Sequence, residues 1–318
     1  MHDSAPPSGT APGSRAGPGG DTGRFTADAA RRALAEICAA LGLDDRDAQP
    51  LKLTLNLVFR LPREGAVVRI ATSAAMTHRI RKVVRVARWL ARHDFPAVRL
   101  FPDLPAPVTA AGYTATVWVD ARGGTRDPTT GDLAAILRRL HRLPGPEPPL
   151  PAWDPLDDVR RRLAAAQMLA ADERAFLEDL TARVEAGLRS VRYVLPRTVI
   201  HGDAHLGNLI STADGQVVIC DFDATCLGPA EWDLVPVAAV GTIRFGRPQH
   251  LHTELARDYG FDVTAWDGFP VLRAVRELKL VTSVVPILAG NPSAAAQFRV
   301  RLNTLRSGRQ DIPWSPYR

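Results

Sequence analysis

The 318-residue sequence has few cysteines, few lysines and no long apolar run, and each of these absences excludes a class of protein. Its three cysteines are an odd number without a paired spacing, which argues against a disulfide framework and against a structural zinc site. So few thiols are typical of a reducing cytoplasm. No run of about 18 apolar residues occurs, so the sequence predicts no transmembrane helix and no membrane partner.

Lysine is scarce, and the formal net charge of +6 therefore comes almost wholly from arginine. A basic balance suits an anionic ligand such as a nucleotide, and it also suits nucleic acid. The arginines of Met76–Arg92 share one face of a predicted helix. A charged helix face is usually solvated, and no pattern of interleaved aromatic residues supports base stacking. We therefore do not expect a nucleic-acid partner.

Composition and periodicity divide the chain into four segments. Residues 1–23 are rich in Gly, Pro, Ser and Ala and are predicted to form a disordered tail. Residues 24–119 carry several strand patterns, and residues 120–306 are mainly helical. Residues 307–318 are predicted to be a C-terminal tail. The expected fold class is α+β, with a small strand-rich N-lobe followed by a larger helical C-lobe.

The most informative residues lie near the middle of the chain. His201 stands two residues before Asp203, and Asn208 stands five residues after it. These two offsets match the catalytic loop of kinases. The pair Asp221-Phe222 follows after a predicted hairpin, which is where kinases place a metal-binding Asp-Phe element.

The chemistry of phosphoryl transfer accounts for these residue types. Mg²⁺ takes oxygen ligands, and the Asp221 carboxylate and the Asn208 amide oxygen can supply them. Asp203 can accept the proton of an attacking hydroxyl. A competing interpretation is metal-dependent hydrolysis, since His201, Asp203 and His205 have a spacing seen among metal ligands. No second cluster of this kind occurs in the sequence.

The stretch Val199–Leu234 resembles the core of the aminoglycoside phosphotransferase and choline kinase-like superfamily. The resemblance lies in the His201–Asn208 loop, in the Asp221–Asp223 element, and in a Gly-Pro-x-x-x-Asp-Leu run at Gly228–Leu234. Residues of about 50–290 can be aligned with the family pattern, but only this central stretch matches it specifically. The resemblance implies a bilobal protein-kinase-like fold and transfer of a phosphoryl group from ATP (or GTP) with Mg²⁺.

The resemblance also implies roles for individual residues in the C-lobe. Asp203 would be the catalytic base, and Asn208 and Asp221 would be the Mg²⁺ ligands. Asp233 would be a buried carboxylate that braces the catalytic loop. The remaining supporting residues would be His201, His205 and Asp223.

In the N-lobe, the resemblance implies a nucleotide site. Arg69 occupies the place where the family often has a phosphate-binding lysine. Val117, Trp118 and Val119 would form the hinge whose backbone meets adenine.

Two departures from the kinase pattern concern this nucleotide site. The strand lysine of kinases pairs with a helix Glu, yet no acidic residue occurs between Glu64 and Asp94, and Val83 stands near the expected position. The phosphate-covering segment 52–59 contains no glycine, so Thr54 and Asn56 are candidate hydrogen-bond donors. The alternative is therefore a catalytically impaired pseudokinase that binds a nucleotide or another ligand.

The expected acceptor is a hydroxyl group on a small molecule. Aminoglycosides are polycations and need an acidic acceptor site, but residues 251–280 carry five acidic residues against four basic ones. The sequence therefore does not identify the acceptor, and it does not identify the oligomeric state. The short connection from Asp223 to Gly228 leaves no room for a platform that binds a protein substrate.

Overall fold

The computed structural model describes residues 27–53, 56–71, 74–309 and 311–316. The predicted disordered tail at residues 1–23 lies outside the described residues, as does Thr54. The N-terminal region contains two helices and an antiparallel sheet of strand order β1-β2-β3-β5-β4. Its elements are α1 (Ala27–Leu41), β1 (Gln49–Leu53), β2 (Asn56–Leu61), β3 (Ala66–Ala71), α2 (Ala74–Arg92), β4 (Val108–Ala110) and β5 (Tyr113–Val119).

One face of this sheet lies in a hydrophobic core that is separate from the core of the C-terminal region. In β2, Leu57, Phe59 and Leu61 are buried, while the side chains between them are only half-buried. This alternation follows from the two-residue period of a strand. Leu34 and Ile37 of α1 belong to the same buried cluster, so α1 covers this face of the sheet.

Helix α2 is amphipathic, as its sequence predicts. Ile80, Val83, Val84 and Leu90 are all buried, whereas Arg81 on the opposite face is exposed. The three- and four-residue spacing of the apolar positions puts them on one side of the helix. This side packs toward the sheet and toward the segment that follows β8, which fixes α2 next to the candidate site.

The C-terminal region is mainly helical and holds two short two-stranded sheets. Strand β6 pairs with β9 and β7 pairs with β8, both antiparallel. The predicted catalytic loop therefore joins β6 to β7, and the Asp221 segment joins β8 to β9. The elements are α3 (Thr130–Leu140), α4 (Asp157–Ala165), α5 (Ala171–Ser190), β6 (Arg197–Ile200), β7 (Leu209–Ser211), β8 (Val217–Ile219), β9 (Cys226–Pro229), α6 (Gln249–Tyr259), α7 (Phe269–Thr282) and α8 (Pro292–Ser307).

The strand boundaries differ from the predicted ones in two places. The apolar run 51–60, which reads as one strand, is divided between β1 and β2, with residues 54–55 between them. The run Val98–Phe101 forms no strand and makes an isolated bridge from Leu100 to Trp118. Its neighbours Pro96 and Pro102 lack the amide hydrogens that a longer ladder would need.

The predicted C-terminal tail is packed against the helical region over its described part, residues 311–316. Trp314 is buried, and the guanidinium groups of Arg244 and Arg301 lie 4.9 and 5.1 Å from its ring centroids. The Trp314 amide donates a 2.6 Å hydrogen bond to the carbonyl oxygen of Arg244. This segment is therefore part of the C-terminal core.

Crossing a lipid bilayer requires a helix that is both long and apolar, and no helix among the described residues meets that requirement.

Candidate active site

The loop from His201 to Asn208 is held in shape by its own hydrogen bonds. The Asn208 side-chain amide donates a 2.9 Å hydrogen bond to the carbonyl oxygen of Asp203. The Asn208 main-chain carbonyl accepts a 2.9 Å bond from the amide of Cys220, the residue before Asp221. Through these bonds Asn208 connects the two segments that carry Asp203 and Asp221. Its side-chain amide oxygen is left available to a ligand.

Asp233 is fully buried and binds the start of this loop. Its two carboxylate oxygens accept 2.7 Å hydrogen bonds from the main-chain amides of His201 and Gly202. His141 Nε2 lies 3.1 Å from the same carboxylate, and its Nδ1 lies 2.8 Å from the Tyr259 hydroxyl. Nothing in the local sequence around His141 indicates that it reaches Asp233.

Gly202 is required by the close approach of two chain segments. Its φ of +84° is a conformation that L side chains rarely adopt, and a Cβ atom there would lie 2.4 Å from the Ala224 carbonyl oxygen. This contact brings the Asp203 loop next to the segment that follows Asp221.

The two loop histidines already have partners that oppose a role as metal ligands. His201 Nε2 lies 3.0 Å from the Cys220 carbonyl oxygen, and its Nδ1 accepts a hydrogen bond from the Asp203 amide. His205 Nδ1 accepts a bond from the Gly207 amide. Within the described ranges, no three His, Cys, Asp or Glu side chains are grouped to hold a metal. The hydrolase interpretation therefore gains no support from the geometry.

Asp221 and Asp223 form a pair of neighbouring carboxylates. Asp221 has a left-handed backbone, with φ of +69° and ψ of +72°. Burial raises the pKa of the Asp221 carboxyl, and the charge of Asp223 raises it further. A buried carboxylate beside a second negative charge favours a bound cation, so the donor set of Asp221 and Asn208 fits Mg²⁺, which uses one or two such ligands together with phosphate oxygens.

Arg69 of β3 contacts this acidic pair directly. Its guanidinium forms an ion pair with the Asp223 carboxylate, and only 14% of its side chain is exposed. Sequence reasoning left open which acid would orient Arg69 in the absence of a helix Glu. The structure places Asp223 in that position.

Lys82 supplies the contact between α2 and the acidic segment. Its Nζ donates hydrogen bonds of 2.5 and 3.0 Å to the carbonyl oxygens of Asp223 and Thr225. Burial lowers the pKa of Lys82, while the nearby Asp223 charge opposes that shift. Lysine is rare in this chain, and that rarity was the signal that could have identified Lys82 beforehand.

The predicted hinge lies on β5, next to the site. The Trp118 ring lies 6.2 Å from the Phe222 ring. The Val117 carbonyl accepts a hydrogen bond from the Phe101 amide, and the Val119 amide donates one to Arg99. Because these two groups already have backbone partners, an adenine contact at this edge would have to use other backbone groups.

Asp203 is engaged by a residue that sequence reasoning missed. Arg276 of α7 donates a 2.5 Å hydrogen bond from Nη2 to the Asp203 carboxylate. Burial alone would raise the pKa of Asp203, but Arg276 and then His205 lower it well below its usual range. Arg276 lies 73 residues from Asp203, so no local spacing could have revealed this contact.

The chain matches a known protein family over most of its length. Residues 48–275 match the phosphotransferase enzyme family, APH. No curated protein matches the chain in sequence.

Solved structures of small-molecule kinases share the fold. The amicoumacin kinase hAmiN is 13% identical with a TM-score of 0.61, over 90% of this chain and 95% of that one. Aminoglycoside phosphotransferase APH(3'')-Id from Streptomyces rimosus is 21% identical with a TM-score of 0.61, over 78% and 97%. A choline/ethanolamine kinase family protein from Mesorhizobium loti is 17% identical with a TM-score of 0.56, over 87% and 93%.

The predicted α+β kinase-like fold is thereby confirmed, and so is the resemblance carried by Val199–Leu234. Because the family match covers more than half of the 318 residues, the chain belongs to the phosphotransferase enzyme family.

Proposed function

We propose that this phosphotransferase moves the γ-phosphate of ATP (or GTP) to a hydroxyl group of a small molecule. The observation that carries this proposal is the connection of three predicted residues. Asn208 binds the Asp203 carbonyl through its side chain and the Cys220 amide through its backbone, so that Asp203, Asn208 and Asp221 share one site. Phosphoryl transfer depends mainly on such positioning and on charge neutralisation.

In the proposed reaction Asp203 is the general base. A carboxylate oxygen of Asp203 takes the proton of the acceptor hydroxyl while the hydroxyl oxygen bonds to the γ-phosphorus. The bond from the γ-phosphorus to the bridging oxygen breaks, and the nucleoside diphosphate leaves with the electron pair. About a third of the Asp203 side chain is exposed, at 35%, so an acceptor can reach it. Asp233 keeps the loop in register by binding the amides of His201 and Gly202.

Asn208 and Asp221 are the residues that would hold Mg²⁺. When bound, the ion would neutralise the charge of the phosphate groups. Arg69 lies beside this pair through its bond to Asp223, and it is the proposed phosphate contact from the N-lobe. The amicoumacin kinase hAmiN was solved with AMP-PNP, and two further similar structures were solved with ADP or GDP, which supports a nucleotide at this place.

Two further parts of the proposal concern the cellular location of the protein and the hinge of its nucleotide site. The three cysteines are all free in the structure, which fits the reducing cytoplasm where nucleotide and Mg²⁺ are supplied. Val117, Trp118 and Val119 stay the proposed hinge, with the adenine contact made by other backbone groups at this edge.

One specific observation supports a second candidate function, that of a catalytically impaired pseudokinase. Arg276 occupies the Asp203 carboxylate, and a base held in an ion pair is poorly placed to accept a proton. If Arg276 stays there with nucleotide bound, the protein would bind ligand without turnover.

The test separates catalysis from binding. We expect Asp203→Asn to lower turnover by about 10²–10⁴-fold, the usual contribution of a general base, and to leave affinity for a non-hydrolysable ATP analogue nearly unchanged. Asp221→Ala should remove the Mg²⁺-dependent part of that affinity. Calorimetric titration with and without Mg²⁺ measures binding, and nucleoside diphosphate release measures turnover.

Asp214→Asn is the matched control, because Asp214 is an exposed carboxylate in the neighbouring β7–β8 turn. Equal turnover in wild type and Asp203→Asn would contradict the catalytic assignment. Nucleotide binding without turnover in the wild type, across all acceptors tried, would favour the pseudokinase.

A further inference from the structure

The side of Asp203 that faces α7 is basic. Arg276 reaches the Asp203 carboxylate from α7, and only 11% of its side chain is exposed. Its Nε is buried and has no hydrogen-bond partner among the residues that the structure describes. Arg276 therefore has unused hydrogen-bonding capacity next to the proposed base.

A second cation lies three residues further along α7. Lys279 donates a 3.2 Å hydrogen bond to the Pro155 carbonyl oxygen. Burial lowers the pKa of Lys279, and the charges of Arg276 and Asp203 are among those that act on it. Arg162 of α4 lies near Lys279 and is half-buried. The two helices thus place Lys279 near both Arg276 and Arg162.

The one acid among these cations is already neutralised. Asp158 of α4 forms ion pairs with Arg79 of α2 and with Arg161. Burial alone would raise the pKa of Asp158, but Arg79, Lys279 and Arg162 outweigh it and lower the pKa to about 2.

The acid of α7 does not reverse this balance. Glu277 is buried, and it is bonded to Arg244 and Arg273. Next to Arg276, the cations Lys279, Arg162 and Arg79 are thus grouped around one carboxylate, that of Asp158.

A positively charged acceptor would be repelled by this group of cations. Like charges within a few ångströms oppose binding strongly when solvent is partly excluded. A carboxylate or a phosphate group, by contrast, matches the planar fork of an arginine and can take two hydrogen bonds from it.

We propose that the acceptor is an anionic hydroxyl compound, whose carboxylate or phosphate group binds Arg276 with Lys279 and Arg162 beside it. This inference rests on the proposed phosphotransferase function and names the substrate class of the same site. In the absence of acceptor, Asp203 serves as the anion that Arg276 binds. An anionic acceptor replaces it, so Asp203 is released to take the proton of the hydroxyl as the oxygen–phosphorus bond forms and the nucleoside diphosphate leaves.

The experiment compares acceptors of different charge in wild type and in Arg276→Gln. The anionic probes are glycerate and glucose 6-phosphate, the neutral ones are glycerol and glucose, and the cationic ones are choline and kanamycin. Acceptor affinity and acceptor-dependent ADP release are measured with each probe. The control variant is Arg160→Gln, because Arg160 is an exposed arginine of α4 that pairs with Asp154 and Glu185.

We expect the anionic probes to bind best, and Arg276→Gln to weaken them by at least about tenfold, the range for a charged hydrogen bond. Neutral probes should change little, and Arg160→Gln should behave as wild type. A merely structural role for Arg276 would weaken all probes alike.

Three results would overturn the inference: tighter binding of the cationic probes, an equal effect of Arg276→Gln on anionic and neutral probes, or no Arg276-dependent binding of either anionic probe. ATP-analogue binding is titrated in every variant. If the wild type does not bind the ATP analogue, the proposed function itself is overturned.

Discussion

Asp233 shows how one side chain can set the geometry of the candidate catalytic loop. It is fully buried, and its carboxylate accepts hydrogen bonds from two consecutive main-chain amides at the start of the loop. Buried amide donors are costly to leave unpaired. The carboxylate therefore stabilises both the fold and the position of Asp203.

Asp233→Ala should lower the free energy of unfolding by about 2–6 kcal/mol, since two buried donors lose their acceptor at about 1–3 kcal/mol each. Urea denaturation measures the change. Asp262→Asn is the control, because the Asp262 side chain is half-exposed. A loss no larger than that of the control would show that the two amides find other partners.

At this scale, short spacings carried most of the predictive information. His201, Asp203 and Asn208 lie within eight residues, and the structure brings them into one loop with Asp221 alongside. Their roles stay predictions. Arg276 could not be predicted, because its contact with Asp203 depends on how α7 packs and not on any local pattern.

Among the elements, α2 takes the place of the kinase helix that carries a Glu, yet it contacts the site through a cation. Lys82 binds the carbonyl oxygens of Asp223 and Thr225, and Arg69 pairs with Asp223. The strand cation and the helix therefore both bind the Asp221–Asp223 segment. In kinases they bind each other.

Lys82→Met should weaken Mg²⁺-nucleotide binding by about tenfold, the lower end for residues that orient a metal ligand. The free energy of unfolding should change by less than about 1 kcal/mol, because losing two hydrogen bonds is offset by no longer burying a charge. Calorimetry and urea denaturation measure the two quantities.

Arg81→Met is the matched control, since Arg81 is the adjacent residue on the exposed face of α2. Unchanged nucleotide affinity in Lys82→Met would mean that α2 does not orient the acidic segment.

Periodicity predicted α1 and α2 well, because each helix has one buried apolar face. It was less successful for the strands. The run 51–60 is divided between β1 and β2, and the three-residue strand β4 is too short to show alternation. The pairing partners of such short strands decide their limits, and these partners are distant in sequence.

In the molecule as a whole, the C-terminal segment completes the helical core. Trp314 is buried between Arg244 and Arg301, and Arg244 is bonded in turn to Glu277 of α7. Helix α7 also carries Arg276. The segment predicted as a tail therefore helps to hold the helix that faces Asp203.

Trp314→Ala should lower the free energy of unfolding by about 3–5 kcal/mol, the usual cost of removing a large buried aromatic. Trp314→Phe should lose much less, because a ring still covers Arg244 and Arg301. Thermal and urea denaturation compare the variants. Equal stability of Trp314→Ala and wild type would show that the segment is not part of the core.

The division into a strand-rich and a helical region was predictable, because it depends on composition over long stretches. The packing of residues 311–316 was not, since a single tryptophan in a proline-containing segment gives no periodic signal.

At position 221, the left-handed backbone favours glycine, whereas the proposed chemistry requires the aspartate carboxylate. A residue with a Cβ atom costs about 1–2 kcal/mol in this conformation, and glycine avoids that cost. Asp221 has φ of +69°, so the backbone alone would select glycine there. Directed evolution for thermal tolerance alone should therefore enrich glycine at 221 and discard the carboxylate, whereas selection for phosphoryl transfer should keep it.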